Sequence, residues 1–429
     1  MAYKPRELVL RLRCIKPPRS GFAWFDACNR KPKAELLRFA EEGTKNMTTE
    51  KPIRVLHVLG TTNLGGAESR VMELYRSIDR ERVQFDFLIH TQKEGHYSAE
   101  IRALGANIYS VPRFNVKNYP AYRSALIRFF EKHHDYAAVQ GHMTSTASIY
   151  LPIAKKAGIP LTIAHARSAG VDRGVKGIVT KIIRLPLKNR ADYLFTCSAE
   201  AGAAVYGKKA VKQGRVWTIP NAIDTQRFRF NKSVRENLRN ELGVSDKFVI
   251  GHVGRFGFMK NHAYLLEVFF ELCKMREDAA LVLIGTGELE QEIRQKAETL
   301  GLTKKVRFLG TRSNVEDYYQ AFDYFVFPSF FEGLPGSVAE AQASGLRCLI
   351  SDKVTHEAAL TELAVYKSID EPPVKWAREI QKNAENAMIR HDMQSAITGQ
   401  GFDVRIQAKQ MAEFYQTGKN PPGHRCGIS

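Results

Sequence analysis

Several things are missing from this 429-residue sequence, and each absence closes a class. No run of about 18 apolar residues occurs, so no segment reads as a membrane-spanning helix. The six cysteines, Cys14, Cys28, Cys197, Cys273, Cys348 and Cys426, form no C-x-x-C pair. They read as reduced cytosolic thiols, not as a zinc site or a disulfide frame. No His, Cys or Asp cluster has ligand spacing and no D-x-D triplet occurs, so a divalent-metal site is not expected. The apolar core of a secretion signal is absent too, because Leu8-Val-Leu is interrupted by Arg11 and Arg13. Acidic residues are short: 45 Asp and Glu face 64 Lys and Arg, a formal net charge of +19. That excess points to an anionic partner, either nucleic acid or an acidic membrane face.

What is present is the composition of a folded globular chain, 44% hydrophobic and 25% charged. The length exceeds one typical core, so two domains are expected. Residues 1–50 form a basic extension without a period, expected to be poorly ordered. Two readings of residues 1–46 stay open: an upstream start outside the functional chain, or a basic arm touching a membrane. From Ile53 the pattern becomes regular. Apolar strands alternate with amphipathic helices: Ile53–Leu59, Phe85–Ile89, Ile108–Val111, Ala137–Val139, Leu161–Ala164, Tyr193–Thr196 and Val216–Ile219. A second series follows at Phe248–Val253, Leu281–Ile284, Val306–Leu309, Tyr324–Phe327 and Cys348–Ile350. Such alternation predicts α/β architecture with doubly wound parallel sheets. The turn-rich Pro220-Asn-Ala-Ile-Asp224 reads as a linker. The expected domains are residues 51–222 and 223–400, then a helix at 401–418 and a loose tail at 419–429.

The chemistry concentrates at Phe327–Gly345. A buried strand ends at Pro328, a turn carries Glu332, Gly333, Pro335 and Gly336, and a helix opens with Ser337 and contains Glu340. The first amides of a helix lack partners within it and carry partial positive charge, so this is an anion site framed by two acids. Carboxylates accept hydrogen bonds from sugar hydroxyls, which suggests a ligand with both phosphates and hydroxyls. Gly60-Thr-Thr-Asn-Leu-Gly65-Gly66 makes a second strand-to-helix turn. With Asp86 about 20 residues on, a dinucleotide dehydrogenase is worth weighing, but the glycine fingerprint fails. Gly254-Arg255…Lys260-Asn261 adds two cations at the end of a strand, where α/β proteins bind ligands.

These motifs, above all Glu332-Gly-Leu-Pro…Glu340, resemble the E-x7-E signature of the retaining, GT-B-fold glycosyltransferases of family 4. These are EpsF-like enzymes of bacterial exopolysaccharide and lipopolysaccharide synthesis, and the likeness covers roughly residues 53–418. It implies two Rossmann-like domains facing a cleft, with the last helix crossing back to the first. It implies transfer of a hexosyl unit with retention, from a nucleotide-diphosphate sugar, foremost a UDP-sugar, to a glycan or polyprenyl-diphosphate-linked acceptor. No cofactor and no metal are implied. Arg255 and Lys260 would hold the diphosphate, Glu332 the donor sugar and Glu340 the ribose, with His142 reaching the sugar from the other domain. Gly65, Gly66, Asn221, Gly285, Arg312, Gly333, Leu334, Pro335 and Gly336 would complete the donor pocket. Ala222 stands where the family has glycine, so a left-handed backbone there is in doubt. His165 and Arg167 are expected at the cleft rim.

A basic amphipathic stretch at 175–190, broken at Pro186, has the pattern of a segment lying on an anionic membrane, which would put the protein at the inner face of the plasma membrane. The alternative is a helix packed on the sheet. Two other functions remain open: a GT-B epimerase or phosphorylase acting on phosphorylated sugars, and a basic nucleic-acid-binding protein. The latter has the charge but lacks a helix-turn-helix or an aromatic-basic platform, so no nucleic-acid partner is expected.

Overall fold

The computed structural model describes residues 51–167, 174–384 and 390–426. The expectations for residues 1–50 therefore lie outside the described residues. Two separate sheets organise the rest. The first runs β14-β7-β6-β5-β4-β1-β2-β3 and the second β10-β9-β8-β11-β12-β13. In chain order the first sheet comprises β1 (Ile53–Leu59), β2 (Val83–Ile89), β3 (Ile108–Ser110), β4 (Ala138–Gly141), β5 (Leu161–Ala166), β6 (Tyr193–Thr196) and β7 (Val216–Thr218). The second comprises β8 (Phe248–Val253), β9 (Ala279–Ile284), β10 (Val306–Phe308), β11 (Tyr324–Phe327), β12 (Arg347–Ser351) and β13 (Ala364–Lys367). The two-residue β14 (His424–Arg425) closes the first sheet.

Every pairing is parallel except that of β14 with β7. Both faces of such sheets are covered by helices, which is why β2 and β9 are buried throughout. β9 reads as an unbroken apolar run, whereas β2 carries Gln84 and Asp86 and buries them on hydrogen bonds. In each sheet the winding reverses once, between β1 and β4 and between β8 and β11. Doubly wound sheets bind ligands outside the carboxyl ends of the strands at that reversal. The loops leaving β1, β8 and β11 carry Gly66, Arg255 and Glu332.

Two strands of chain join the halves. Ile223 N–H donates to the Phe402 carbonyl at 2.9 Å, and Val404 N–H donates back to Ile223 at 3.0 Å. The outgoing linker and the returning chain are thus zipped together. Helix α4 (Val404–Thr417) then seats Ala408, Met411, Phe414 and Tyr415 in the core of the first sheet. Burying side chains of that size contributes about 1.5–3 kcal/mol each for the larger ones. The expectation of a loose tail is corrected. Cys426 N–H donates to Val216 at 2.8 Å, the Arg425 guanidinium lies 5.0 Å from the Trp217 ring centre, and Cys426 is buried. Edge pairing, which needs no apolar period, holds this segment to the sheet.

Candidate active site

A cleft of about 870 Å3 opens where the two switch points face each other. Its amino-terminal wall starts with helix α1 (Gly66–Ser77), whose cap residue Gly65 makes no side-chain cap. Its carboxyl-terminal wall includes helix α3 (Gly336–Ala343), capped by Pro335, again without a side-chain cap. The amides of Gly66 and Ala67, and of Gly336 and Ser337, head the two helices and cannot find acceptors within them. All four residues line the cleft. Two positive helix ends therefore meet across one space. A side chain at Gly66 would meet nothing within 4 Å, so its backbone faces open room.

The cations come from the loop after β8. Phe330 N–H donates to Met259 at 2.9 Å, and Phe258 and Phe330 stack with ring centres 4.8 Å apart. This stitching fixes the turn Phe258–Lys260. Lys260 Nζ then lies 2.8 Å from Glu332 Oε1 and 4.4 Å above the Phe327 ring. Arg255, further out, pairs with Glu288 at 2.9 Å. Gly285 has φ +136°, and a Cβ there would sit 2.1 Å from the Gly254 carbonyl. Only glycine lets the ends of β8 and β9 come this close below the cations.

The amino-terminal wall carries charges that sequence reading missed. Arg70, one turn into α1, reaches across to Glu340 Oε1 and donates to the Ala222 carbonyl at 3.3 Å. Glu340 Oε2 accepts from the Tyr319 hydroxyl at 2.9 Å. Burial, then the Glu340 carboxylate, pushes that hydroxyl well above its ordinary range, so it stays a donor. Arg227 bridges Glu73 and Glu316, each at 2.8 Å. Gly66, Arg70 and Glu73 share one helical face, a spacing that could have found them.

Of the expected site residues, Gly65, Gly66, Asn221, Arg255, Lys260, Gly285, Arg312, Glu332, Leu334, Pro335, Gly336 and Glu340 all line the cleft. Gly333, buried within the turn itself, is not among the lining residues. Arg312 is exposed, its guanidinium 5.9 Å from the Tyr318 ring centre. His142 is the main correction. Its ring is buried one layer behind the wall, between His57 and His165, where hydrogen bonds to His57 and Arg167 hold it. Arg167 stands in front of it and lines the cleft instead. Arg167 Nε donates to His142 Nδ1 at 3.4 Å and Nη1 to Asn221 Oδ1 at 2.8 Å.

A guanidinium can only donate, so His142 accepts at Nδ1 and carries its proton on Nε2. That proton points at His57 Nδ1, 3.0 Å away. Burial, then Arg167, lowers His57 to about 3. Burial first, with Arg167 next, holds His142 and His165 well below the usual histidine range. His165 is likewise buried, with Gln140 Nε2 2.8 Å from its Nδ1, and does not reach the rim. Burial lowers Arg167 to about 10, which leaves it charged at neutral pH. Asp86 is consumed inside the first sheet by Arg54 at 2.8 Å and Tyr136 at 3.0 Å. It offers nothing to a ribose, and the dehydrogenase reading falls. Ala222 is not in the left-handed region; among the described non-glycine residues only Asn261 and Asn420 are.

Two α/β domains with facing switch points define the GT-B architecture. Residues 64–227 match the family described as Glycosyltransferase Family 4, and residues 234–397 match Glycosyl transferases group 1. The EpsF glycosyltransferase of Bacillus subtilis (strain 168) is 32% identical over 368 residues, spanning 84% of this chain and 96% of that one. The chain therefore belongs to this family of glycosyltransferases. An Escherichia coli enzyme named UDP-Gal:alpha-D-GlcNAc-diphosphoundecaprenol alpha-1,3-galactosyltransferase is 25% identical over 324 residues, 71% of this chain and 81% of that one. Among solved structures, Anabaena HepE in complex with UDP-glucose superposes with a TM-score of 0.71. It is 19% identical and covers 86% of this chain and 100% of its own.

Proposed function

We propose that the protein moves a hexosyl unit with retention, without a metal, from a UDP-sugar to a glycan or polyprenyl-diphosphate-linked acceptor in bacterial surface or exopolysaccharide synthesis. One observation carries this reading: two uncapped helix ends converge with Arg255 and Lys260 on a single cleft. In this reading the amides of Gly66 and Gly336 and the two cations take the diphosphate. Glu340 accepts ribose hydroxyls, Glu332 contacts the donor sugar, and Gly285 and Arg312 flank the base. His142 acts indirectly, by holding Arg167. The bond from the anomeric carbon to the phosphate oxygen breaks, and the acceptor oxygen takes its place on the same face. The acceptor proton passes to the leaving phosphate, so no side-chain nucleophile is needed. Charge grows on the leaving oxygen, where fixed cations stabilise the transition state more than the ground state. The Escherichia coli relative, named for a UDP-sugar and a diphosphoundecaprenol acceptor, and HepE, solved with UDP-glucose, support the choice of donor and acceptor.

A thermal-shift screen with UDP, GDP, ADP and their sugars tests the donor, since a ligand bound only by the folded state raises its melting temperature. UDP compounds should give the largest rise, and a larger rise with GDP or ADP compounds overturns the nucleotide. Proton NMR of early product reads the anomeric configuration, where an inverted product refutes retention. Turnover unchanged by excess EDTA is expected of the metal-independent route; loss of turnover refutes it.

The reading extends to the membrane. Among the described residues no helix is long and apolar enough to cross one. Helix α2 (Gly174–Arg184) and the turn after it leave Ile178, Ile182 and Leu185 60%, 60% and 69% exposed beside Lys181, while Arg184 and Leu187 turn inward. An apolar ridge next to basic side chains fits the interface of an anionic bilayer, which supports a location at the inner face of the plasma membrane. Co-sedimentation with phosphatidylglycerol vesicles should be lost on Ile182→Glu; equal binding by the variant removes this contact.

A further inference from the structure

Two of the cleft's arginines, Arg167 and Arg312, meet no carboxylate among the described residues; Arg312 is exposed, whereas Arg167 is half-buried. Arg70 meets Glu340, Arg76 meets Glu73 and Glu100, Arg227 meets Glu73 and Glu316, and Arg255 meets Glu288. Lys260 meets Glu332. The two hydrogen bonds of Arg167 among the described residues go to the neutral Asn221 amide and the neutral His142 ring. The groups that act on it electrostatically are the Cys197 thiol, the Tyr415 phenol and the Arg70 guanidinium, none of them an acid ionised at neutral pH.

Arg167 is half-buried. A charge withdrawn from water without a counterion is costly, and folds normally supply the counterion or lose the charge. Here the fold supplies rigidity instead. Asn221 Nδ2 donates to the Leu334 carbonyl at 3.1 Å, which turns its oxygen toward Arg167. His142 is held by the hydrogen bond to His57 and by stacking on that ring. A guanidinium has five N–H donors, and these two bonds use two of them. The rest of the fork has no acceptor among the described residues, on a residue that lines the cleft.

We propose that Arg167 anchors a second anion subsite, on the amino-terminal wall and separate from the diphosphate cations, which takes an ionised acid group of the sugar substrate. The chemistry is an oxyanion carried by a sugar: a carboxylate on the transferred sugar, or a phosphate on the acceptor. A planar fork suits either, since both offer two oxygens side by side. The proposal deepens the glycosyl-transfer reading and rests on it for the identity of the ligand, but not for the charge itself.

Calorimetric titration of the full chain tests it, with wild type compared against Arg167→Gln and Arg167→Lys. Three probes are used: UDP alone, UDP-glucuronate against UDP-glucose, and glucose 1-phosphate against glucose with UDP saturating. The expected result is UDP affinity within about twofold in all three proteins, which also reports that the variants fold. At least one acid probe should bind wild type better than its neutral counterpart, by about tenfold or more. That preference should vanish in the Gln variant and partly return in the Lys variant. The uronate arm identifies the donor sugar as the acid, and the phosphate arm identifies the acceptor. If neither acid probe is preferred by wild type, or if the preference survives Arg167→Gln, the subsite is refuted. A parallel fall in UDP affinity also refutes it, by assigning Arg167 to the diphosphate. If wild type binds no nucleotide, the donor reading fails, while glucose 1-phosphate titrated alone still decides Arg167.

Discussion

The two walls of the cleft handle charge in opposite ways. On the carboxyl-terminal wall the outer cation is left in water: Arg255 and Glu288 are 76% and 57% exposed. On the amino-terminal wall Arg70 is buried against Glu340, and Arg167 is half-buried against neutral groups. An exposed ion pair is held by about 0–1 kcal/mol and can be traded for a phosphate at little expense. A buried pair cannot be opened so cheaply, because removing one partner strands the other. The contrast separates labour: one wall exchanges partners with a ligand, and the other keeps its shape and presents fixed donors.

The largest effect should come from the exchanging wall. Lys260→Ala is expected to lower turnover of donor by about 10²–10³-fold, the size seen when a preorganised charge stabiliser is removed. Its melting temperature should move little, because the side chain is partly exposed and its pair with Glu332 sits at the cleft surface. Turnover within about threefold of wild type would remove Lys260 from the chemistry. Next in size is the shape-keeping wall. Arg70→Ala leaves Glu340 buried with only the Tyr319 hydroxyl as partner. Unfolding in urea should report a loss of about 3–5 kcal/mol. A loss below about 1 kcal/mol would show that the cleft opens freely and that the pair is no clamp.

The sequence made one wall readable and not the other. Strands β1, β6, β8 and β11 are apolar runs with turn residues at both ends, and their limits agree with the expected ones residue for residue. β13 and β14 are edges that sequence reading misses: β13 is only half buried and its apolar stretch, Ala364–Tyr366, is short, and β14 is two exposed residues. The glycine turns before α1 and α3 were legible because backbone that approaches a ligand must be small. Arg70 and Glu340 lie 270 positions apart. Their pairing is a property of how the domains face each other, which no local spacing encodes. Arg167 is harder still, since its distinction is a counterion missing among the described residues, which only the folded arrangement of charges reveals. His142 misled for the same reason: a histidine after a strand looks the same from the sequence whether it faces the cleft or the layer behind.

That inner layer gives the comparison a pH dependence. His57, His142 and His165 are held neutral behind the amino-terminal wall, with folded values lowered mainly by burial. The unfolded chain takes up protons at these rings below about pH 6.5, and the folded chain does not. Stability is therefore full above that pH and falls as pH drops, for His57 down to its folded value of about 3. Each ring contributes a slope approaching about 1.4 kcal/mol per pH unit. His252 and His262, behind the other wall and lowered mainly by burial to about 4 and about 2, add to the same trend. Urea midpoints should fall steadily between about pH 6.5 and 5, and His57→Phe should flatten the slope by one ring's share. Midpoints independent of pH in that window would mean the rings are charged in the fold.

The smallest expected effect tests the exchanging wall most directly. Glu288 competes with a bound phosphate for Arg255, since its carboxylate occupies Nε and Nη2 at 3.1 and 2.9 Å. Glu288→Gln removes the charge and keeps the shape. The stability change should stay within about 1 kcal/mol, because both groups are largely in water. UDP should bind about two- to threefold more tightly, because Arg255 no longer has to leave a partner of its own, and the gain should shrink in high salt as screening weakens the original pair. Weaker UDP binding would instead make Glu288 a contact of the nucleotide. The exposed pair would then be part of the site's fixed frame, and the division between the two walls would fail at its most exposed point.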